Sequence, residues 1–544
     1  MPALLPWLKG TRLNRPLAAI LLVTALAAIL RFAHLGHPPE LVFDEVYYPK
    51  VGCILIGGSD DECKVASDDE KFWRKDKWDV GSWVHPPLGK WQIGLGIKAF
   101  GMDPFGWRSA TALVGTLTVT VTALIAFLLF QRAVWIYVAG GLLATEHLSI
   151  VMSRTAILDA HLAFWIAVGF LCFVMDRRWI DRRQASADEE VAAAARSEVA
   201  TSVWLARPEP GGPLAVQQEM PVTSASLVRT SRAAILSPLW RPWRFATGLA
   251  LGAATSVKWS GAMAIATAVL ISYLWETTRR HRPGVSWRAS FVRAFARETF
   301  GLVLAFLVLP LMVYVAIWLP WISHFGWDWG KWWDTQVGSF NYHFKGGLEW
   351  TKPDPDTGSA TPTHPYYARP WEWIIPPGRP TSFFVKDLGP DIQQILALGS
   401  PAVFWAYLFA LPYVLFSWWR ARDWKAGFLA ITFLGLFVPW LGVSRPTFYF
   451  YAVPLVPFMV LGITYVLRDV ADARLVVRDR ETGGVAVNPE TGEPAISNSY
   501  VYRPFVWVFL IVAVVMFVLF WPLMSGGQMT DIHWRAIVWF NRWI

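Results

Sequence analysis

Residues 16–30 read PLAAILLVTALAAIL, an apolar run that ends only at Arg31. Lys9, Arg12 and Arg15 precede the run, so the segment also resembles a secretory signal peptide. It has no convincing small-residue cleavage site, and many similar runs follow along the chain. We therefore interpret it as a first membrane span that is retained.

The composition agrees with a protein that has lipid as its main solvent. The chain has 544 residues, of which 54% are hydrophobic and 16% charged, whereas soluble proteins are about 25% charged. A spanning helix needs roughly 20 mainly apolar residues, and about eleven stretches qualify. Their centres lie near residues 24, 118, 142, 166, 248, 267, 310, 410, 434, 457 and 514, with Lys258 predicted at the turn between the fifth and sixth. The sequence therefore predicts an all-α, polytopic membrane protein.

Arginine-rich loops set the orientation, because loops on the cytoplasmic side carry an excess of basic residues. The formal net charge is +9. If the N-terminus is inside, the basic residues lie mostly in inside loops, so the charge reflects membrane topology and does not indicate nucleic-acid binding. The predicted inside loops are 176–244, 277–298, 420–425 and 468–503, and part of the first, 185–236, has the composition of a weakly structured insert. Two long loops then fall outside, 34–107 (the first loop) and 321–399 (the second loop).

The first loop opens with HPPELVFDEVYY at residues 37–48. Its prolines end the first helix, and Asp44 and Glu45 then stand together among apolar residues near the bilayer. A partly desolvated carboxylate has a raised pKa and suits a general base. Adjacent helical residues do not face each other, so we expect one acid to activate a nucleophile and the other to position it. The alternative is an acidic pair that only stabilises a helix dipole.

A second proline turn, WVHPPLGK at residues 83–90, places His85 and Lys90 near the same surface. Asp159 and three further basic residues are predicted at similar depth. The three are Arg154 before the fourth span, Lys258 after the fifth and Arg445 before the tenth. Basic residues are disfavoured on the outer side, so the group predicts a bound anion such as a lipid phosphate. Snorkelling explains any one of these side chains, but it explains the group less well.

Six motifs occur in the same order as in protein O-mannosyltransferases, which the chain resembles over nearly its whole length. They are FDE at 43–45, VHPPLGK at 84–90, RTAILD at 154–159, SVKWSG at 256–261, THPY at 363–366 and RPTFYFY at 445–451. The resemblance implies a C-type glycosyltransferase fold, all-helical in the membrane, with the catalytic acid in the first loop. Such enzymes use a polyprenyl-phosphate sugar as the donor.

The resemblance also implies a reaction and roles for residues. Mannose would pass from polyprenyl-phosphate mannose to Ser or Thr hydroxyls of secreted proteins, with inversion. By analogy Asp44 is the base and Glu45 helps to place the acceptor. The residues expected to hold the donor phosphate or substrate are His85, Lys90, Arg154, Asp159, Lys258, His364 and Arg445. Neither a cofactor nor a metal is expected.

One departure from the family pattern narrows the resemblance. Eukaryotic members carry a β-trefoil region in the large outside loop, and 321–399 is too short to hold it. The resemblance is therefore to the bacterial branch, and the composition suits an actinobacterium-like genome. We accordingly expect a plasma-membrane enzyme with a cytoplasmic N-terminus and an extracytoplasmic site. Its acceptors would leave through the secretion translocon, which is then a candidate partner.

Two other functions and one covalent link stay open from the sequence. A related C-type transferase could modify a lipid or polysaccharide instead of a protein. A transporter of lipid-linked sugar is the other alternative, although such proteins often show inverted repeats and midplane charges, and neither is visible here. Cys53 and Cys63 share the first loop and are either a disulfide, if the loop faces an oxidising compartment, or two free thiols.

Overall fold

The computed structural model describes residues 14–65, 70–82, 84–205, 239–281, 283–344, 351–353, 360–362, 365–443, 445–473, 485 and 501–543. Most of these residues are helical. The α-helices are α1 (Asn14–Phe32), α2 (Tyr48–Leu55), α3 (Asp60–Cys63), α4 (Glu70–Trp73), α5 (Lys77–Ser82), α6 (Leu88–Phe100), α7 (Pro104–Phe130), α8 (Val134–Ala144), α9 (His147–Arg154), α10 (Leu158–Leu205), α11 (Pro242–Val257), α12 (Gly261–Arg280), α13 (Trp287–Val303), α14 (Leu309–His324), α15 (Trp329–Phe344), α16 (Pro401–Ala421), α17 (Trp424–Phe437), α18 (Val456–Asp472), α19 (Arg503–Ser525) and α20 (Asp531–Ile537). The strands are β1 (Thr351–Pro353), β2 (Ala360–Pro362), β3 (Thr381–Asp387), β4 (Asp391–Ala397) and β5 (Gln528–Thr530).

Within the described chain, eight helical stretches are long and apolar enough to cross a membrane. They are Arg15–Phe32, Pro104–Phe130, Leu158–Ser186, Trp287–His324, Pro401–Ala421, Trp424–Gly442, Tyr449–Asp472 and Arg503–Ser525. The pair α8 and α9, bent by 61°, adds a ninth if it is one span. Every predicted span centre lies in a helix, but those near 248 and 267 fall in α11 and α12, which do not meet the same criterion. The predicted break at Lys258 is confirmed, since α11 ends at Val257 and α12 begins at Gly261.

Burial separates a central span from peripheral ones. In the Tyr449–Asp472 stretch 94% of the most apolar window is buried, against 22% in both Arg15–Phe32 and Arg503–Ser525. A helix that is apolar all round and buried belongs to the core of a bundle, and the peripheral helices turn their apolar sides toward lipid. The helix α10 continues to Leu205, so the first part of the insert expected to be weakly structured is helical.

Some of the arginines in the predicted inside loops form ion pairs with buried acids. Arg241 pairs with Asp176 and, at 2.7 Å, with Glu276. Glu298 accepts from Arg244 at 2.7 Å and also pairs with Arg280. The acids neutralise these charges at the helix ends, and removing one partner of such a pair leaves the other buried and unpaired.

A small antiparallel sheet, which the sequence did not predict, lies beside the first loop. β3 pairs with β4 from Thr381↔Ala397 to Asp387↔Ile392, and β4 pairs with β5, which follows the last span. The side chain of His37 bonds to the carbonyl of Gly526 at 3.0 Å, which ties the first loop to the start of β5. The first loop also contains the Cys53–Cys63 disulfide, so the first of the two open possibilities is the one observed.

Candidate active site

Asp44 lies in a short 3₁₀ turn, Phe43–Val46, that packs against the sheet. Phe43 has a φ of 49°, a left-handed conformation that is rare for a bulky residue. Its ring stacks on Phe383 of β3 with 4.5 Å between centroids and meets Phe450 edge-on at 5.5 Å. These contacts hold the backbone that aims Asp44.

Glu45 points from the same turn into the protein, where it is 0% exposed. Its Oε1 and Oε2 each accept a 2.8 Å hydrogen bond from Arg108, from Nε and Nη2 respectively. The backbone N–H groups of Ala156 and Val42 donate to the same carboxylate at 2.8 and 3.0 Å. Both oxygens are therefore engaged within the protein, and this geometry gives no support to the expected contact of Glu45 with an acceptor.

Arg108 organises the start of the first loop around this ion pair. Besides Glu45, its guanidinium donates to the carbonyls of Leu35, Pro38 and Glu40 at 3.2, 2.7 and 2.9 Å. A buried, bidentate arginine–carboxylate pair with further hydrogen bonds is a rigid arrangement. Arg108 was not singled out from the sequence, because it lies within an apolar span and 63 residues from Glu45.

Asp44 contrasts with Glu45, because its carboxylate accepts no hydrogen bond from the residues that the structure describes. The residue is partly exposed. Burial raises the pKa of Asp44 to about 6, the nearby Lys258 opposes this rise, and Asp159 adds to it. A carboxylate that is unpaired and titrates close to neutrality suits a general base.

Lys258 and Arg445 both lie close to the ring of Tyr451. The Nζ of Lys258 donates to both oxygens of Asp159 at 3.0 and 2.9 Å and is 4.7 Å from the centroid of the Tyr451 ring. Arg445 is 5.6 Å from the same centroid and donates to the Tyr451 hydroxyl at 3.4 Å. Arg445 forms no ion pair with any described residue, so its charge is available to an anionic ligand, whereas that of Lys258 is matched by Asp159.

The proline turn brings His85 and Lys90 to the same region. Lys90 donates to the carbonyl of His85 at 2.6 Å, and burial lowers the pKa of Lys90 to about 7. Burial, followed by the charges of Lys258, His343, Lys90 and Arg445, lowers the pKa of His85 well below its ordinary value, so its imidazole is neutral.

His343 of α15 is a site residue that sequence reasoning missed. Its ring stacks on that of His85 with 5.3 Å between centroids, and its Nε2–H donates to the carbonyl of Val84 at 2.9 Å. Burial is the main cause that lowers its pKa to about 4. No motif marked this histidine, which lies in the aromatic second loop.

Arg154 does not join the group at Asp44. Its terminal nitrogens donate to the carbonyls that end α1 and follow it, which are those of Leu30, Arg31, Ala33 and His34, at 3.2, 3.1, 2.7 and 3.1 Å. Basic side chains stabilise helix C-termini in this way. The geometry thus gives Arg154 a capping role and offers no support for the expected phosphate contact.

The structure therefore brings together Asp44, His85, Lys90, Asp159, Lys258 and Arg445, and sets Glu45 and Arg154 apart. His364 lies outside the described residues. That the protein needs no metal or cofactor stays a prediction, although no group of three or more His, Cys, Asp or Glu side chains is placed for a metal in the described part of the chain.

A small cleft lies beside this group. Asp159, Lys258 and Tyr451 line its polar end. The rest of its wall is mostly apolar and comes from Leu162, Ile166, Ser260, Met263, Leu436, Trp440, Pro454 and Leu455. A polar end with an apolar continuation fits a ligand with a charged head and a hydrocarbon tail.

Two family models match the chain. The model described as "Dolichyl-phosphate-mannose-protein mannosyltransferase" matches residues 82–191 and 220–324. The model described as "C-terminal four TMM region of protein-O-mannosyltransferase" matches residues 329–543. Together they cover the candidate site except for the turn at Asp44.

Similar proteins extend over the whole chain. A polyprenol-phosphate-mannose–protein mannosyltransferase of Corynebacterium glutamicum is 26% identical over 100% of this chain and 96% of its own. One of Mycolicibacterium smegmatis is 24% identical over 96% and 92%. The structure of the S. cerevisiae protein O-mannosyltransferase Pmt1–Pmt2 complex bound to the sugar donor matches with a TM-score of 0.59 at 14% identity, covering 98% of this chain and 93% of that one. The expected fold class is confirmed.

Proposed function

The chain belongs to the protein O-mannosyltransferase family, and we propose that it moves mannose from polyprenyl-phosphate mannose to Ser and Thr hydroxyls of secreted proteins, with inversion. Family membership makes it a membrane-embedded glycosyltransferase. The single observation that carries the assignment to this site is the Asp44 carboxylate, which has no hydrogen-bond partner among the described residues and has Lys258 as an electrostatic neighbour, while Lys258 and Arg445 both lie close to Tyr451. An acid free to accept a proton and a charge free to meet a phosphate are the two groups that this reaction needs.

The reaction is a single displacement at the anomeric carbon. The acceptor hydroxyl gives its proton to the Asp44 carboxylate as its oxygen bonds to the anomeric carbon. The bond from that carbon to the phosphate oxygen breaks, and polyprenyl phosphate leaves with one more negative charge. Arg445 and Lys258 stabilise this developing charge, and Asp159 orients the Lys258 ammonium through its two hydrogen bonds.

The cleft beside Lys258 supports a lipid donor rather than a soluble one. Its mostly apolar wall adjoins the Lys258–Asp159 pair, so the first part of a polyprenyl chain would lie against apolar side chains with its phosphate near Lys258. The arginine-rich loops support an extracytoplasmic site in a bacterial plasma membrane. Acceptors would then be met as they leave through the secretion machinery.

The test is transfer of labelled mannose from polyprenyl-phosphate mannose to a Ser/Thr-rich peptide by purified enzyme. We expect Asp44→Asn to lower kcat by about 10²–10⁴-fold, the range for a general base. Glu40→Gln is the matched control, because Glu40 is exposed in the same loop and, among the described residues, its carboxylate pairs with the exposed Lys386 alone. Undiminished transfer by Asp44→Asn would sink the base assignment, and labelled lipid or polysaccharide without labelled peptide would favour a different acceptor.

A further inference from the structure

Tyr47 directly follows the turn that carries Asp44. The N–H of Tyr47 donates to the carbonyl of Asp44 at 3.0 Å and closes the turn. Asp44 and Tyr47 are both electrostatic neighbours of Tyr342, whereas Glu45 is fully buried in the protein.

Exposure along the turn divides it into an inner and an outer side. Glu45 is fully buried, but Tyr47 is 58% exposed and Val46 37%. One exposed aromatic residue is common on any protein surface. It becomes informative here because a second tyrosine lies near it.

Tyr342 reaches the same place from the second loop. The end of α15 is anchored over the proline turn, where His343 and Ser339 both donate to the carbonyl of Val84, at 2.9 and 3.2 Å. Tyr342, whose ring centroid is 5.3 Å from that of His343, is an electrostatic neighbour of both Asp44 and Tyr47. Tyrosines from two separate loops thus stand beside one carboxylate.

The chemistry requires the acceptor to arrive on this side. In an inverting displacement the nucleophile enters opposite the leaving group, and the leaving phosphate belongs at Lys258, beside the mostly apolar cleft. The remaining approach to Asp44 is from the loops, where Tyr47 and Tyr342 lie.

We propose that Tyr47 and Tyr342 form the acceptor-binding site, where they hold an extended, hydroxyl-bearing polypeptide segment against Asp44. The proposal rests on the proposed function, whose acceptor it localises. Tyrosine rings suit this task, because they offer a large apolar face with little loss of rotamer freedom. Such a site contacts the chain around the hydroxyl without demanding one sequence.

Steady-state kinetics with a Ser/Thr-rich peptide separate this role from a structural one. We expect Tyr47→Ala and Tyr342→Ala each to raise KM for the peptide about tenfold while KM for polyprenyl-phosphate mannose stays unchanged. Tyr47→Phe keeps the ring and should stay within about twofold of wild type. Tyr502→Ala, an exposed tyrosine at the start of the last span, is the matched control and should change neither constant.

A second measurement covers the case in which the alanine variants fold poorly. p-Benzoylphenylalanine placed at position 47 should crosslink the peptide on irradiation, and the same probe at position 502 should not. Unchanged peptide KM in both alanine variants, or equal crosslinking from the two positions, overturns the acceptor site. Absence of transfer to peptide by the wild-type enzyme instead overturns the proposed function.

Discussion

Phe43, directly before Asp44, is held in a conformation that its backbone disfavours. Its φ of 49° lies in the left-handed region, which costs a residue with a side chain about 1–2 kcal/mol. The stack on Phe383 (4.5 Å, 5° between planes) and the edge contact with Phe450 (5.5 Å, 82°) oppose this cost. Two aromatic contacts contribute about 1–3 kcal/mol together, enough to offset the strain. The second loop, through Phe383, therefore fixes the direction of the Asp44 carboxylate.

Two substitutions at this position separate strain from ring contacts. Phe43→Ala removes both ring contacts but keeps the strain, so we expect the turn to relax and Asp44 to move. Phe43→Gly removes the same contacts and also the strain, since glycine populates positive φ freely. The greater chain entropy of glycine offsets part of this gain. The native turn should therefore be more stable in the glycine variant than in the alanine variant, by about 1 kcal/mol. That difference corresponds to about a fivefold higher kcat than the alanine variant, with both below wild type.

The assay is kcat at saturating donor and peptide, with KM for the donor as a check on folding. Val385→Ala is the control, because Val385 lies in β3, the strand that contains Phe383, but its side chain is exposed. If strain at Phe43 were irrelevant, the glycine variant would be no more active than the alanine variant, and that result would refute the reasoning. A double variant adds a further check, since Phe383→Ala should lower kcat by a smaller factor in the Phe43→Ala background than in the wild-type enzyme.

Two further predictions follow from the buried arginines. Glu45→Gln should lower the free energy of unfolding in detergent by about 3–5 kcal/mol, because it leaves Arg108 buried and unpaired. Asp44→Asn should instead lose activity without losing stability. Equal melting temperatures for the two variants would contradict this. Arg154→Lys should lower the melting temperature, because it weakens the cap on α1, and should leave donor KM unchanged. Arg445→Lys should raise donor KM about tenfold, because lysine lacks the fork geometry that arginine offers a phosphate. A raised donor KM in the Arg154 variant would instead support a contact of Arg154 with the phosphate.

Motifs located most of the site, because Asp44, His85, Lys90, Asp159, Lys258 and Arg445 each belong to a short, ordered signature. Asp44, Asp159, Lys258 and Arg445 are far apart in sequence and meet in space. Apolar runs likewise placed every predicted span centre in a helix. Short-range sequence patterns are enough to predict these features, because membrane helices and proline turns follow from local composition.

The pairing of charges could not be predicted in the same way. Local sequence does not show which of the neighbours Asp44 and Glu45 forms an ion pair. The fold shows that Arg108 of α7 pairs with Glu45. Arg154 resembles Arg445 as an outward basic residue, and only the fold shows that four carbonyls surround it. The sequence of the second loop predicted neither the position of His343 nor the strand that contains Phe383, because strand formation depends on the neighbouring strands more than on local sequence.

Charge balance at the site leads to a prediction about pH. In the free enzyme, Lys258 and Arg445 offset Asp159 and ionised Asp44. The diester donor adds one negative charge, and after transfer the phosphate carries two while Asp44 has taken up the acceptor proton. The total charge of the site with its ligand is therefore the same before and after the step, because the proton on Asp44 cancels the charge that the phosphate gains.

The same balance means that the bound donor phosphate disfavours the ionised form of Asp44. Its pKa, raised by burial to about 6 in the free protein, should rise further when the donor binds. Activity requires the ionised base, so it falls as the pH drops through this pKa. The profile of kcat/KM for the donor reports the free enzyme and that of kcat the complex. We expect the acid limb of kcat/KM near pH 6 and that of kcat at higher pH. Coincident limbs, or a kcat limb at lower pH, would show that the phosphate does not lie within electrostatic reach of Asp44.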